Sequence, residues 1–145
     1  MSFSIAFSQA LEIVSYVGIK QKEERYEYLS IEKISEKLNI PVPSIKRISS
    51  LLKKNGILSS KPGIYGGLRL AKPASKITFY DILVTIEGTN QLFKVHKDFN
   101  VDVFQDQNKV KSWLQESSGV LNKAENAMLD VLKNTNLEEI NKKSF

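Results

Sequence analysis

The chain contains no cysteine and only one histidine, His96. Without thiols there can be no disulfide, no thiolate nucleophile, no thiol redox switch and no thiolate metal site. A single imidazole also rules out sites built from several histidines in one chain. No apolar run approaches the roughly 18 residues needed to cross a bilayer, so no membrane partner is expected. Met1-Ser2-Phe3-Ser4-Ile5 places no basic stretch before an apolar core, so no secretory leader is expected and the protein is expected in the cytoplasm. Asp81 and Glu87 suit a helix cap and a surface charge better than a catalytic pair, and no nucleophile and base stand together, so an enzyme is not expected.

One further scarcity is local. From Pro41 to Tyr80 there is no Asp or Glu, while Lys46, Arg47, Lys53, Lys54, Lys61, Arg69, Lys72 and Lys76 all fall in that stretch. The net charge of +5 says little by itself. Its confinement to an acid-free segment, followed by a slightly acidic remainder, is the footprint expected for a polyanionic partner.

The 145 residues fit one domain of ordinary size with an appended helix. Phe3, Phe7, Ala10, Leu11, Val14 and Val17 recur at helical spacing, and Gly18 with the charged run Lys20 to Arg25 is expected to end that first helix or to link it to the next element. Ser30 before Ile31, Ile34 and Leu38 reads as an N-cap on a short amphipathic helix, stopped by Asn39-Ile40-Pro41. A second helix is expected over 43–55. Ile45, Ile48 and Leu52 form its inward stripe, Ser44, Lys46, Arg47, Ser50 and Lys54 face outward, and Asn55-Gly56 ends it. Ile57-Leu58-Ser59 and Gly67-Leu68-Arg69-Leu70 read as two short strands. The turn formers Lys61-Pro62-Gly63-Ile64-Tyr65-Gly66 between them make a basic hairpin. Thr78-Phe79-Tyr80-Asp81 has the form of a capping box and opens a helix that closes near Gly88.

Residues 90–108 show no clear period. Over 108–134, Val110, Trp113, Ser117, Val120, Ala124, Ala127 and Val131, widened by Leu114, Leu121, Met128 and Leu132, come close to a heptad pattern. Ser117-Ser118-Gly119 is expected to bend or break that helix.

The fold class read from this order is mainly α with a small β wing: a winged helix-turn-helix domain over 1–88, a connector over 89–107, and a dimerisation helix with a C-terminal tail over 108–145. The candidate DNA-contacting residues are Ser44, Lys46, Arg47, Ser50, Lys54, Lys61, Tyr65, Gly66 and Arg69. An α-helix fits the major groove, arginine can bond guanine O6 and N7 together, and serine can bond bases or phosphate. Glycines at the hairpin allow close backbone approach, and Lys61 and Arg69 bring charge. The partners read are double-stranded operator DNA, a second copy of the chain, and a small-molecule or protein effector. No cofactor and no metal are assigned. His96, in the unpatterned segment, is the candidate effector residue, because an imidazole titrates near neutral pH. The glycines do not make a nucleotide-binding loop, since no Gly-Lys-Ser/Thr follows and no helix starts there.

Several of these segments resemble the Rrf-two family of bacterial winged-helix regulators. They are Leu29-Ser30-Ile31-Glu32-Lys33-Ile34 with Leu38-Asn39-Ile40, Leu51-Leu52-Lys53-Lys54-Asn55-Gly56-Ile57-Leu58, and Gly66-Gly67-Leu68-Arg69-Leu70-Ala71-Lys72-Pro73. Ser60, Gly63, Ile77-Thr78, Asp81-Ile82, Glu87-Gly88, Val131-Leu132 and Thr135-Asn136-Leu137-Glu138-Glu139-Ile140 extend the likeness over nearly the whole chain. The double-glycine wing is its most specific piece. The resemblance implies dimers that bind operator DNA, with the long C-terminal helix as the dimer element. Many members hold an iron–sulfur cluster through cysteines that follow the Glu87-Gly88 position, and that property does not carry over to a cysteine-free chain. Leu92-Phe93-Lys94-Val95-His96 looks like a motif of a cysteine-poor branch. The expected function is a sequence-specific transcriptional regulator, a repressor. The alternative from another class is a protein-interaction module that uses the winged helix as a scaffold. The acid-free stretch argues against it.

Overall fold

Ser30 and Asn39 delimit the first helix of the helix-turn-helix as their chemistry requires. In the computed structural model, which describes all residues except Met1, Ser2, Arg25, Tyr26, Lys97, Phe99, Val101 and Val103, helix α2 spans Ile31–Leu38. The Ser30 side chain accepts the Lys33 N–H at 3.2 Å. Asn39 closes the helix at φ 54, the left-handed region that asparagine tolerates. The Ser35 hydroxyl donates to the Ile40 carbonyl at 2.6 Å and fixes the turn into α3. Helix α3 spans Val42–Lys54, one residue earlier at each end than the sequence suggests, with Pro43 in its first turn. Ile45, Ile48 and Leu52 are fully buried, each such side chain contributing about 1.5–3 kcal/mol over its exposed state.

Helix α1 spans Ile5–Glu24, so it passes straight through Gly18 and ends inside the charged run that the sequence marks, with Gly18, as its stop or link. The reason is tertiary. A Cβ at position 18 would lie 3.1 Å from Leu70 Cδ1, so glycine there admits the end of the hairpin against the helix. Beyond Gly18 the helix is continued by Lys20, which pairs with Glu23 at 3.4 Å and Glu24 at 3.1 Å. Glu24 also reaches Lys33 of α2 at 3.5 Å. The hydrogen bond from Lys20 holds the Glu24 carboxyl below its ordinary range, and the same contact raises Lys20. Both groups are solvent-exposed, so the pair orients more than it stabilises.

Strands β1 (Leu58–Lys61) and β2 (Gly67–Leu70) form an antiparallel ribbon with Leu58 opposite Leu70 and Lys61 opposite Gly67. A 3-10 turn at Ala74–Lys76 leads to α4 (Phe79–Glu87). The capping box is complete: Thr78 Oγ1 accepts the Asp81 N–H, and Asp81 Oδ2 accepts the Thr78 N–H, each at 3.0 Å. At the other end of α4, the Glu87 carboxylate accepts the Ser4 amide at 2.8 Å and the Ser4 hydroxyl at 2.7 Å.

The long helix α5 spans Gln107–Lys133 and α6 spans Leu137–Ser144. Two compact units result, one of residues 1–89 with 132–145 and the other of residues 90–131. In the first, Asn136 caps α6 by accepting the Glu139 N–H at 2.9 Å, and Leu137 is fully buried. The Leu137 amide donates to the Ile77 carbonyl and the Phe79 amide to the Thr135 carbonyl, so the C-terminal segment is stitched beside the start of α4. These contacts, made with residues far earlier in the chain, belong to a stretch that sequence reasoning leaves as a tail.

In the second unit, α5 runs unbroken through Ser117-Ser118-Gly119, against the expected bend. No break is forced there, because one glycine costs a helix interior only about 1 kcal/mol. On a helix that turns about 100° per residue, Trp113, Val120, Ala124, Ala127 and Val131 fall within about 60°, and all five are exposed. Val110, Leu114, Leu121 and Met128 lie on the adjoining arc and are half-buried. The Leu92 amide donates to the Glu125 carboxylate on that second side.

Candidate nucleic-acid interface

The polar face of α3 follows from its burial pattern. Ile45, Ile48, Ser49 and Leu52 point inward, and the Ser49 hydroxyl is satisfied by donating to the Lys46 carbonyl at 3.2 Å. What remains outward is an arc of about 100° that carries Lys46, Arg47, Ser50 and Lys54, all exposed. Ser44 stands half-buried at its margin. Among the described residues, no carboxylate pairs with Lys46, Arg47, Lys54, Lys61 or Arg69; the ion pairs fall on Lys20, Lys33, Lys37 and Lys142. The face is therefore one of free cations and hydroxyls.

The hairpin is fastened to this helix-turn-helix at two points. Lys53 of α3 donates to the Ser60 hydroxyl of β1 at 3.3 Å. Leu29, immediately before the Ser30 cap, pairs with Leu68 of β2 through two backbone bonds of 2.8 and 2.7 Å. The second contact explains the double glycine. Gly67 has φ 144, and a Cβ there would sit 1.9 Å from the Leu29 carbonyl oxygen. A Cβ on Gly66 would sit 2.0 Å from the Lys61 carbonyl oxygen. Gly66 is buried, so it serves the turn by close backbone approach. Tyr65, at the tip, is 85% exposed and packs against no core.

Tyr28 is a residue that sequence reasoning missed. Its ring centre lies 5.8 Å from Lys61 Nζ and 5.2 Å from Arg69 Cζ, so the two wing cations share one aromatic ring. Only the Leu29–Leu68 bridge brings Tyr28 there, and no local pattern announces it. His96 is exposed in the irregular part of the second unit, away from regular structure.

The family model for Rrf2, described as "Iron-dependent Transcriptional regulator", matches residues 3–143. The chain belongs to the Rrf2 family. That family is one of transcriptional regulators and not of enzymes. Among relatives whose names class them as HTH-type transcriptional regulators, YwgB of Bacillus subtilis is 33% identical over 66 residues. That alignment takes in 46% of this chain and 42% of YwgB. YffB of Lactococcus lactis is 28% identical over 107 residues, 74% of this chain and 67% of YffB. The chain thus spans between about two fifths and two thirds of these relatives. Among solved structures, CymR, the global cysteine regulator of B. subtilis, superposes with a TM-score of 0.74 at 23% identity, covering 100% of this chain and 99% of CymR. IscR of T. potens gives 0.73 at 20%, covering 100% of this chain and 89% of IscR. These likenesses establish the Rrf2 winged-helix fold.

The family description names iron, and the residues here do not fit it. Iron–sulfur clusters are held mainly by thiolates, and there is no cysteine in the 145 residues. Among the described residues, no three His, Cys, Asp or Glu side chains gather as metal ligands.

Proposed function

We propose that this protein is a homodimeric transcriptional repressor that reads a near-palindromic operator in double-stranded DNA through α3 and the β1–β2 wing. The observation that carries the reading is the pair of basic surfaces without a carboxylate partner, Lys46, Arg47 and Lys54 on α3 and Lys61 and Arg69 on the wing, in a stretch of sequence without a single acid. Arg47 is the reader, able to make two bonds to a guanine edge in the major groove, with Ser44 and Ser50 bonding bases or phosphate. Lys46, Lys54, Lys61 and Arg69 neutralise phosphates. The exposed apolar arc of α5, Trp113, Val120, Ala124 and Val131, meets its own copy about a two-fold axis, with Leu114, Leu121, Val110 and Met128 shaping it from the adjoining side. A two-fold protein selects half-sites about one helical turn, or a multiple, apart. Repression then follows from occupancy. The effector acts on residues 89–107, where His96 is exposed.

Binding of the full chain to the upstream DNA of its own gene, measured over a salt series, tests this. Log affinity should fall linearly with log salt, by about 0.9 per phosphate neutralised. Arg47→Ala should lose about 1–3 kcal/mol of base discrimination, while Lys61→Ala should weaken all sequences alike. An Arg47→Ala protein that keeps its operator preference would remove α3 as the reading element.

A further inference from the structure

Two large apolar side chains stand at the tip of the basic hairpin: Ile64 is 90% exposed and Tyr65 is 85% exposed. They are the central pair of a four-residue turn, closed by the Gly66 amide donating to the Gly63 carbonyl at 3.0 Å. Central turn residues project beyond the strands they join. The turn cannot fold back to cover them, since Gly66 is already packed against the Lys61 carbonyl. Nor is the tip loose relative to α3, because the Leu29–Leu68 bridge and the Lys53–Ser60 bond tie the ribbon to the helix-turn-helix. The wing therefore presents a pre-positioned apolar point with the cations Lys61 and Arg69 behind it, and Glu32 of α2 is the acid that shares the cleft beside it.

An apolar point set ahead of cations matches one surface in particular: the floor of a DNA minor groove, where base pairs stack between two walls of phosphate. We propose that Ile64 is a wedge that enters the minor groove, partly unstacks one base step and bends the operator, with the Tyr65 ring beside it against the sugar edge. Apolar side chains inserted between base steps are a general way to kink a duplex. Ile64 has no donor or acceptor in its side chain, so it reads no base edge by hydrogen bonding. It selects for deformability. Pyrimidine–purine steps, TA and CA/TG, open most easily, and the wing favours them at a position where the protein makes no base hydrogen bond. This deepens the DNA-binding reading and rests on it.

The test uses the full chain and duplexes that it selects from a random-sequence pool. Hydroxyl-radical footprinting marks the step beneath the wing, and 2-aminopurine placed there reports unstacking. Circular permutation or end-to-end energy transfer reports the bend. The wild type should bend the duplex, raise the 2-aminopurine signal, and prefer TA over AA at that step by about tenfold. Ile64→Ser, at a position too exposed to disturb folding, should keep the Arg47-dependent preference, lose the bend and the fluorescence rise, and shrink the step preference to within about twofold. Tyr65→Phe should keep the bend. Bend and fluorescence unchanged in Ile64→Ser would overturn the wedge while leaving DNA reading intact. A wild type that binds no duplex in a salt-dependent way would overturn both. Ile64-dependent binding to anionic phospholipid vesicles without any bend in bound DNA would overturn the wedge in favour of a lipid surface.

Discussion

Replacing Gly67 by alanine should cost far more than removing an ordinary hairpin glycine. At φ 144 the backbone of residue 67 is in a region that side chains strain to enter, at about 1–3 kcal/mol. The added Cβ would also lie 1.9 Å from the Leu29 carbonyl oxygen and 2.3 Å from its carbon. No rotamer relieves that clash, so the strand must move away. Both Leu29–Leu68 backbone bonds then fail, at about 1 kcal/mol each. Together the loss is about 3–5 kcal/mol, a large part of the roughly 5–15 kcal/mol that holds a domain of this size. Gly63 is the internal control. Its φ is 100 and a Cβ there meets nothing within 4 Å, so Gly63→Ala should show backbone strain alone, about 1–2 kcal/mol. Urea unfolding followed by circular dichroism, with unchanged m-values, measures both. If Gly67→Ala costs no more than Gly63→Ala, the bridge does not secure the wing and the steric account of the double glycine is wrong.

Two other outcomes follow from particular side chains. Val120→Asp would bury a carboxylate on each side of the α5 seam and should raise the dimer dissociation constant by more than about a hundredfold, read by sedimentation. Leu121→Asp is less diagnostic because Leu121 is already half-buried in the single chain, and a wild-type monomer at micromolar concentration would refute the seam. Glu24 should titrate below an ordinary glutamate by side-chain NMR and rise toward the ordinary range in Lys20→Met, with the Lys33 contact keeping part of the depression. Because its folded pKa is depressed, its contribution is present above the unfolded value and fades as pH falls through the folded one. Lys20 is raised, so its share is complete below the ordinary lysine value and fades as pH climbs through the raised one.

Much of the architecture is written in short-range chemistry. Ser30, Asn39 and the Thr78–Asp81 box act within four residues of themselves, so their roles are legible in the sequence and hold in the structure. The same is true of the α3 face: the spacing of Ile45, Ile48 and Leu52 determines by subtraction that Lys46, Arg47, Ser50 and Lys54 look outward. The basic character of the candidate interface is legible too, because it depends on composition and not on contacts. Asn136 followed by Glu139 is a capping signal of the same local kind, and could have marked the start of α6.

Tertiary structure decided the rest, wherever a residue answers to a partner distant in the chain. Gly18 looks like a helix end until Leu70 is laid against it. Ser117-Ser118-Gly119 looks like a break, yet α5 continues through it. Tyr28 joins the wing cations only because Leu29 pairs with Leu68. The apolar residues of α5 make one stripe in sequence but divide into an exposed arc and a half-buried one, since helical period records angle and not what lies opposite. Ile64 is one apolar residue among turn formers in the sequence, and it becomes an exposed point only once the hairpin closes beneath it. Local propensity is a property of neighbours along the chain, whereas burial and close approach depend on neighbours in space.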